Sequence, residues 1–282
     1  MLNSKVILLI SILFSLFTQL KSQQSYSVTY VANEGFLIET NKHKILIDAL
    51  FGGVNGDWCE EPNDSIAGLM IKGAAPFNKI DVVLITHYHL DHFTSRMVLD
   101  FLLRNKKSIL VCPNQIKEML KENPDSYSIL ERVKAIESNT HIDTLVSVGE
   151  IKIRAVRLRH GSYFQTDSTT GKTYDIHEGV ENLGYLIESD RFRFLHTGDC
   201  AYKNKKQFEE YNLFNEKINC AFFSRTFLKP EGMDIINGFS DLKNVVLMHL
   251  EPVKKEYYNA LIKDIPQFFI FNSPLEKRIY SE

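Results

Sequence analysis

Tryptophan occurs once in this 282-residue chain, as Trp58, and cysteine only four times, as Cys59, Cys112, Cys200 and Cys220. No two cysteines stand in a CxxC pair, which removes thiol-based metal knuckles and dithiol redox motifs. Their wide spacing gives no disulfide framework; Cys200 could pair with Cys220, and unpaired core thiols fit the spacing equally well. There is no basic tract, and the formal charge is −2, so nucleic acid is not the expected partner. Low-complexity linkers and internal sequence repeats are also missing. One long apolar run exists, Val6–Phe17, and it is too short to span a bilayer comfortably. With Lys5 before it and polar residues around Ser22 after it, residues 1–22 read as a removable export signal, with an uncleaved anchor as the alternative. Loss of Lys5 and Lys21 takes the formal charge from −2 to −4. The expected product is a periplasmic or secreted protein, residues 23–282, without stable membrane association after cleavage.

The full 282-residue chain has ordinary globular composition, 44% hydrophobic and 24% charged, enough to close a sizeable core. Short β-rich segments come early, at 27–32, 35–40 and 44–50, separated by turns at Asn33-Glu34-Gly35 and Asn41-Lys42. Helical spacing follows at 65–72 and at 94–104, where Thr94 is a candidate cap. Residues 151–159 alternate as a strand and end at His160-Gly161; a polar stretch, 161–182, follows with little periodicity. Strands at 183–188 and 191–196 lead to Thr197-Gly198-Asp199, and the strand at 244–248 ends at His249. Strands and helices mix throughout, so a single α/β domain is expected.

The most informative segment is Thr86-His87-Tyr88-His89-Leu90-Asp91-His92, directly after the apolar stretch 80–85. Histidines two apart at a strand end can face one way and share a cation, while Asp91 and His92, past the turn, can reach a second. Imidazole nitrogen and carboxylate oxygen suit zinc first, and also manganese or iron. Four such donors in six residues point to a metal site rather than a polar loop.

Together with His160, Asp199 and His249 at later strand ends, this segment resembles the metallo-β-lactamase fold superfamily over essentially the whole mature chain. The resemblance implies an αβ/βα four-layer sandwich with two divalent metal ions at one edge. It implies that His87, His89 and His160 hold one ion, that Asp91, His92 and His249 hold the other, and that Asp199 bridges them with a water or hydroxide. Asp91 is then the expected proton acceptor and, with Asp199, part of the catalytic apparatus. Asp48, the early aspartate at a strand end, is implied to order the site loops rather than to bind metal. His177, in the long 161–182 segment, and Trp58 are candidate substrate contacts; His196 reads as packed or as supporting the ligands rather than as a ligand, and His43 and His141 as solvated.

The function this implies is an exported binuclear hydrolase cleaving an ester, lactone or phosphoester of a small molecule. The run Asn182-Leu183-Gly184-Tyr185 and the segment His196-Thr197-Gly198-Asp199 look most like the ascorbate-6-phosphate lactonase-like subgroup. Aspartate at 199, where some β-lactamases of the superfamily have cysteine, points away from β-lactams, and Cys200 is expected to face away from the metals. Two alternatives remain open: a mononuclear iron sulfur dioxygenase-type oxidoreductase, and a non-catalytic binding protein on the same fold. Oligomeric state is not legible.

Overall fold

A computed structural model describes residues 24–54, 56–137 and 139–281. The export signal expected at 1–22 lies outside them. Strands β1 (Ser25–Ala32), β2 (Gly35–Glu39) and β3 (Lys44–Ile47) open the chain, followed by helix α1 (Asp64–Lys72) and strand β4 (Val82–Leu84). Helix α2 (Ser95–Arg104), strand β5 (Ile109–Pro113), helix α3 (Asn114–Lys121) and strand β6 (Val133–Ile136) complete the first half. The second half contains β7 (Asp143–Val148), β8 (Ile151–Arg157), a small hairpin of β9 (Phe164–Thr166) with β10 (Thr173–Asp175), β11 (Leu183–Ser189) and β12 (Phe192–His196). It continues through α4 (Lys205–Glu210), β13 (Cys220–Ser224), α5 (Pro230–Ile236), β14 (Val245–Met248), α6 (Lys255–Ile262) and β15 (Phe268–Phe269). Strand β16 (Lys277–Ser281) returns to pair antiparallel with β1.

Two seven-stranded sheets result, ordered β16-β1-β2-β3-β4-β5-β6 and β15-β14-β13-β12-β11-β8-β7. Each has the same plan: antiparallel neighbours on one side, then three parallel steps, β3 to β6 in one sheet and β12 to β15 in the other. The chain thus carries a structural two-fold repeat that its sequence does not display.

Strand alternation explains the layers. Phe36, Ile38, Ile45 and Ile47 face the other sheet and meet Ile153, Tyr185, Phe194 and Phe222. The intervening Leu37 and Leu46 face outward, where Val98 and Leu102 of α2 and Ile116 of α3 cover them. On the opposite face Leu195, Ala221 and Phe223 are covered by Phe208 of α4 and Ile235 of α5. The result is the expected αβ/βα four-layer sandwich. Tyr185 fastens the two sheets beside the site: fully buried, it donates its hydroxyl to the carbonyl of Ile85 at 2.8 Å.

Candidate metal centre

The strand ends β3, β4, β8, β12 and β14 deliver, in turn, Asp48, the 86–92 segment, His160, Asp199 and His249 to one edge of the sandwich. The 86–92 segment folds back on itself because the amides of His92 and Phe93 both donate to the carbonyl of His89, at 3.0 and 2.9 Å. Leu90 is left exposed at the tip, while Asp91 and His92 turn inward and are buried.

Two sets of donor atoms form. In the first, His87, His89, His160 and Asp199 bring ligand atoms within 4.8 Å of one another. His87 Nε2 and His89 Nδ1 are 3.1 Å apart, and His160 Nε2 is 3.3 Å from Asp199 Oδ2. Nitrogens that share a tetrahedral zinc at its usual bond length sit about 3.3 Å apart. In the second, Glu34, His92, Asp199 and His249 converge within the same limit. Asp91 Oδ2 joins them, 3.4 Å from His249 Nε2 and 3.7 Å from His92 Nε2. Asp199 Oδ2 lies between the sets, 3.4 Å from His249 Nε2 and 3.8 Å from His92 Nε2.

The nitrogens His92 Nε2 and His160 Nε2 and both Glu34 carboxylate oxygens are buried without a hydrogen-bond partner. Buried polar atoms are rarely left so unless something else satisfies them. Inward-facing imidazole and carboxylate donors of this kind fit one or two divalent cations.

The His92 and His160 rings are each aimed by a neighbour. Asp48 accepts from Thr86 N (2.8 Å) and Thr86 Oγ1 (2.6 Å), and its Oδ2 lies 2.9 Å from His92 Nδ1. The Gly161 carbonyl takes His160 Nδ1 at 2.7 Å, which leaves Nε2 for the centre. Asn182 donates to the carbonyls of Leu158 and Thr197 and accepts from Asp199 N, joining the ends of β8 and β12. Gly198 belongs here by necessity: at φ +53, a Cβ would stand 2.3 Å from Asn182 Oδ1. Asp48 and His249 hold φ of 43° and 57°, uncommon for non-glycine residues and concentrated at functional sites.

Electrostatics divide the two sets. Burial, reinforced by neighbouring imidazoles, pushes His87 well below the usual histidine value and His89 down to about 4. Burial works the same way on His92 and His249, but the carboxylates around them win. Asp91 and Asp48 hold His92 at about 9, and Asp199 and Asp91 hold His249 at about 10. Burial alone would raise Asp199; His249, His160 and His92 keep it well below the ordinary carboxylate value. Glu34 moves the other way, raised by burial and by Asp199.

All seven sequence-predicted ligand residues and Asp48 therefore meet at one edge. His177 stands beside the first set, its ring 4.3 Å from that of His160 and 4.7 Å from that of His89, with Tyr163 stacked on its far side. Trp58 lies over the second set, 6.1 Å from the His249 ring, and is 44% exposed. His196 is packed as expected, its Nε2 on the Glu34 carbonyl. His43 is not solvated: it is mostly buried between Asp81 (3.6 Å) and Glu150 (3.8 Å). All four cysteines are buried and unpaired, and Cys200 packs into the sheet–helix core, away from the site.

Sequence reasoning missed Glu34, Asn33 and Arg225. Asn33 Nδ2 donates to Asp91 Oδ2 at 3.1 Å. Arg225 donates to the His249 carbonyl and reaches its Nδ1 at 2.5 Å. The first two looked like residues of a solvated turn, and nothing local marks the third.

Residues 43–260 match the family described as the beta-lactamase superfamily domain. Among curated proteins, a UPF0173 metal-dependent hydrolase from Polaromonas sp. (strain JS666 / ATCC BAA-500) is 28% identical over 175 residues, 57% of this chain. The match spans 61% of that relative, less than two thirds of its length. Of solved structures, Igni18, a metallo hydrolase from Ignicoccus hospitalis, superposes with a TM-score of 0.56 at 17% identity, covering 91% of this chain and 98% of its own. An isothiocyanate hydrolase from Delia radicum gut bacteria gives 0.54 at 13%, covering 91% and 100%. The diiron β-hydroxylase CmlA from Streptomyces venezuelae gives 0.53 at 13%, covering 92% and 54%. At such identities the likeness concerns the fold alone, and these neighbours differ in chemistry.

Proposed function

The chain belongs to the beta-lactamase superfamily, and from that premise we propose that it is a binuclear metal hydrolase cleaving an ester, lactone or phosphoester of a small molecule. The observation that carries this reading is the position of Asp199 Oδ2, within 3.4 Å of a nitrogen from each donor set. His87, His89 and His160 would hold one cation, Asp91, His92 and His249 the other, and Asp199 would belong to both. When bound, two divalent cations, zinc first, supply Lewis acidity and bring the ionisation of water toward neutral pH.

The chain's own side chains supply the rest. Asp91 faces the centre with its Oδ2 while Asn33 fixes its orientation, so it can accept a proton and return it to a leaving alkoxide. His177 donates its Nδ1–H to the Gly161 carbonyl at 2.8 Å, which presents Nε2 to a substrate above the first donor set. Trp58 offers an exposed aromatic wall on the opposite side. Lactones are the first class to test, since the 182–185 and 196–199 segments are what resemble the lactonase-like subgroup.

The test is metal content and turnover of the purified chain. About two zinc or manganese ions per chain, with hydrolysis abolished in Asp199→Ala, are expected. One iron per chain with dioxygen consumption on sulfur substrates would replace the proposal by the redox alternative. Export rests on residues 1–22 alone; a secreted protein beginning near residue 23 by N-terminal sequencing would support it.

A further inference from the structure

Hairpin turns normally face water, where their backbone and side chains are solvated. The β1–β2 turn does not: Asn33 is 2% exposed and Glu34 is fully buried. Gly35 allows this, since a Cβ there would meet Ala32 O, Ala49 Cα and Asp48 O at 2.9 Å each. The turn is pressed beneath the 48–51 segment and becomes the floor of the metal edge. From that floor a carboxylate oxygen of Glu34 comes within 4.8 Å of ligand atoms of His92, Asp199 and His249. No donor lies within hydrogen-bond distance of either of its oxygens among the described residues, and His92 Nε2, in the same set, is also unpartnered. An acid held there without donors, among Asp48, Asp91 and Asp199, needs positive charge or a proton to offset its burial.

We infer that Glu34 is a ligand of the second cation, entering from the buried floor opposite the substrate side. This rests on the binuclear reading and extends it. The two seats then differ in chemistry. The first offers three imidazoles and one shared carboxylate. The second offers His92 and His249 with Asp91, Asp199 and Glu34, an oxygen-rich set that favours harder ions with more ligands, such as manganese. The competing account is a proton shared between Glu34 and Asp199.

Glu34→Gln separates the two, because the amide has nearly the same shape and supplies a hydrogen but no anionic oxygen. The experiment is manganese titration of the full chain, followed by the electron paramagnetic resonance of free ion, with zinc content measured in parallel. The wild type is expected to hold two ions per chain. E34Q is expected to lose manganese affinity at least tenfold, to keep one zinc, and to melt cooperatively. E34D, which retains a carboxylate, should recover part of the affinity; it also serves if E34Q fails to fold. Unchanged manganese affinity in E34Q, or an E34D no better than E34Q, would overturn the inference and leave the binuclear reading intact. A wild type that holds only one ion would overturn both.

Discussion

Replacement of Asp48 by asparagine tests how the second donor set is aimed. A carboxylate only accepts hydrogen bonds, so with Asp48 Oδ2 2.9 Å away, His92 Nδ1 must be the donor and Nε2 is the nitrogen left for the cation. In Asp48→Asn one oxygen becomes NH2. The backbone N–H of Thr86, 2.8 Å from Oδ1, can only donate, so the amide oxygen must stay there. The NH2 then occupies the Oδ2 position, facing Thr86 Oγ1 and His92 Nδ1. The threonine hydroxyl can rotate to accept. His92 can accept only by moving its hydrogen to Nε2, where the cation belongs. Loss of such a support typically costs about 10–100-fold in metal affinity, and the upper end is expected here, confined to the second ion. Stability should change by only about 1 kcal/mol, since most bonds survive. Asp48→Ala differs. It strands three buried donors, at about 1–3 kcal/mol each, and puts alanine at φ 43° for about another 1 kcal/mol. A loss of roughly 4–10 kcal/mol, at about 2 °C per kcal/mol for a chain of this size, should lower the melting temperature by roughly 8–20 °C. Chelator competition with two-ion resolution, alongside calorimetry, reads both effects. A D48N protein that binds its second ion like wild type, or one that melts as early as D48A, would refute the reasoning.

Metal loading should depend on pH unequally at the two seats. A cation entering the second seat must displace protons from His92, held at about 9, and His249, held at about 10, whereas His87 and His89 are already neutral at pH 7. Apparent affinity for the second ion should therefore climb about a hundredfold per pH unit between pH 6 and 8, and more gently for the first; equal slopes in a chromophoric-chelator titration would contradict this. His177→Ala should raise KM roughly tenfold on any substrate found, the effect of about one hydrogen bond, with metal content unchanged; loss of a metal would instead make His177 a ligand. Glu39 joins three strands of the first sheet through Lys44 (2.9 Å) and Lys277 (2.6 Å). Burial would raise its carboxyl, but the two ammonium groups hold it below the ordinary value. The stabilisation is thus present above the unfolded-chain pKa and lost as pH falls through the lower folded one. Unfolding free energies of wild type and Glu39→Gln from urea titration should differ by about 1 kcal/mol or less at pH 7 and converge below pH 4; a constant gap would argue against it.

The parts of this molecule legible in its sequence are those whose signal is local. The 86–92 segment could be read because four metal donors crowd one strand end, and His160, Asp199 and His249 because each stops a recognisable strand. The elements missed owe their order to distant contacts. β7 and β16 are edge strands with few buried residues, and β16 exists only because β1, some 250 positions earlier, accepts it. The β9–β10 hairpin is exposed at nearly every position, so no apolar period marks it. Thr94 does stand at the N-cap of α2, as its sequence position suggests, but its hydroxyl makes no capping bond and instead bonds Gly52, tying the 50–54 loop to the start of the helix. Asp48 and Glu34 show the limit most sharply, since both are buried acids facing His92. Asp48 follows an apolar strand, which is a local cue. Glu34 sits between Asn33 and Gly35, a pattern that reads as a water-facing turn. Gly35 does not have the positive φ such a pattern suggests, and its missing side chain serves close approach to Asp48 and Ala49. The same letter in the sequence therefore stands for backbone freedom in one fold and for a buried turn in another. Only the three-dimensional contact decides which, and with it whether the neighbouring glutamate faces water or the metal centre.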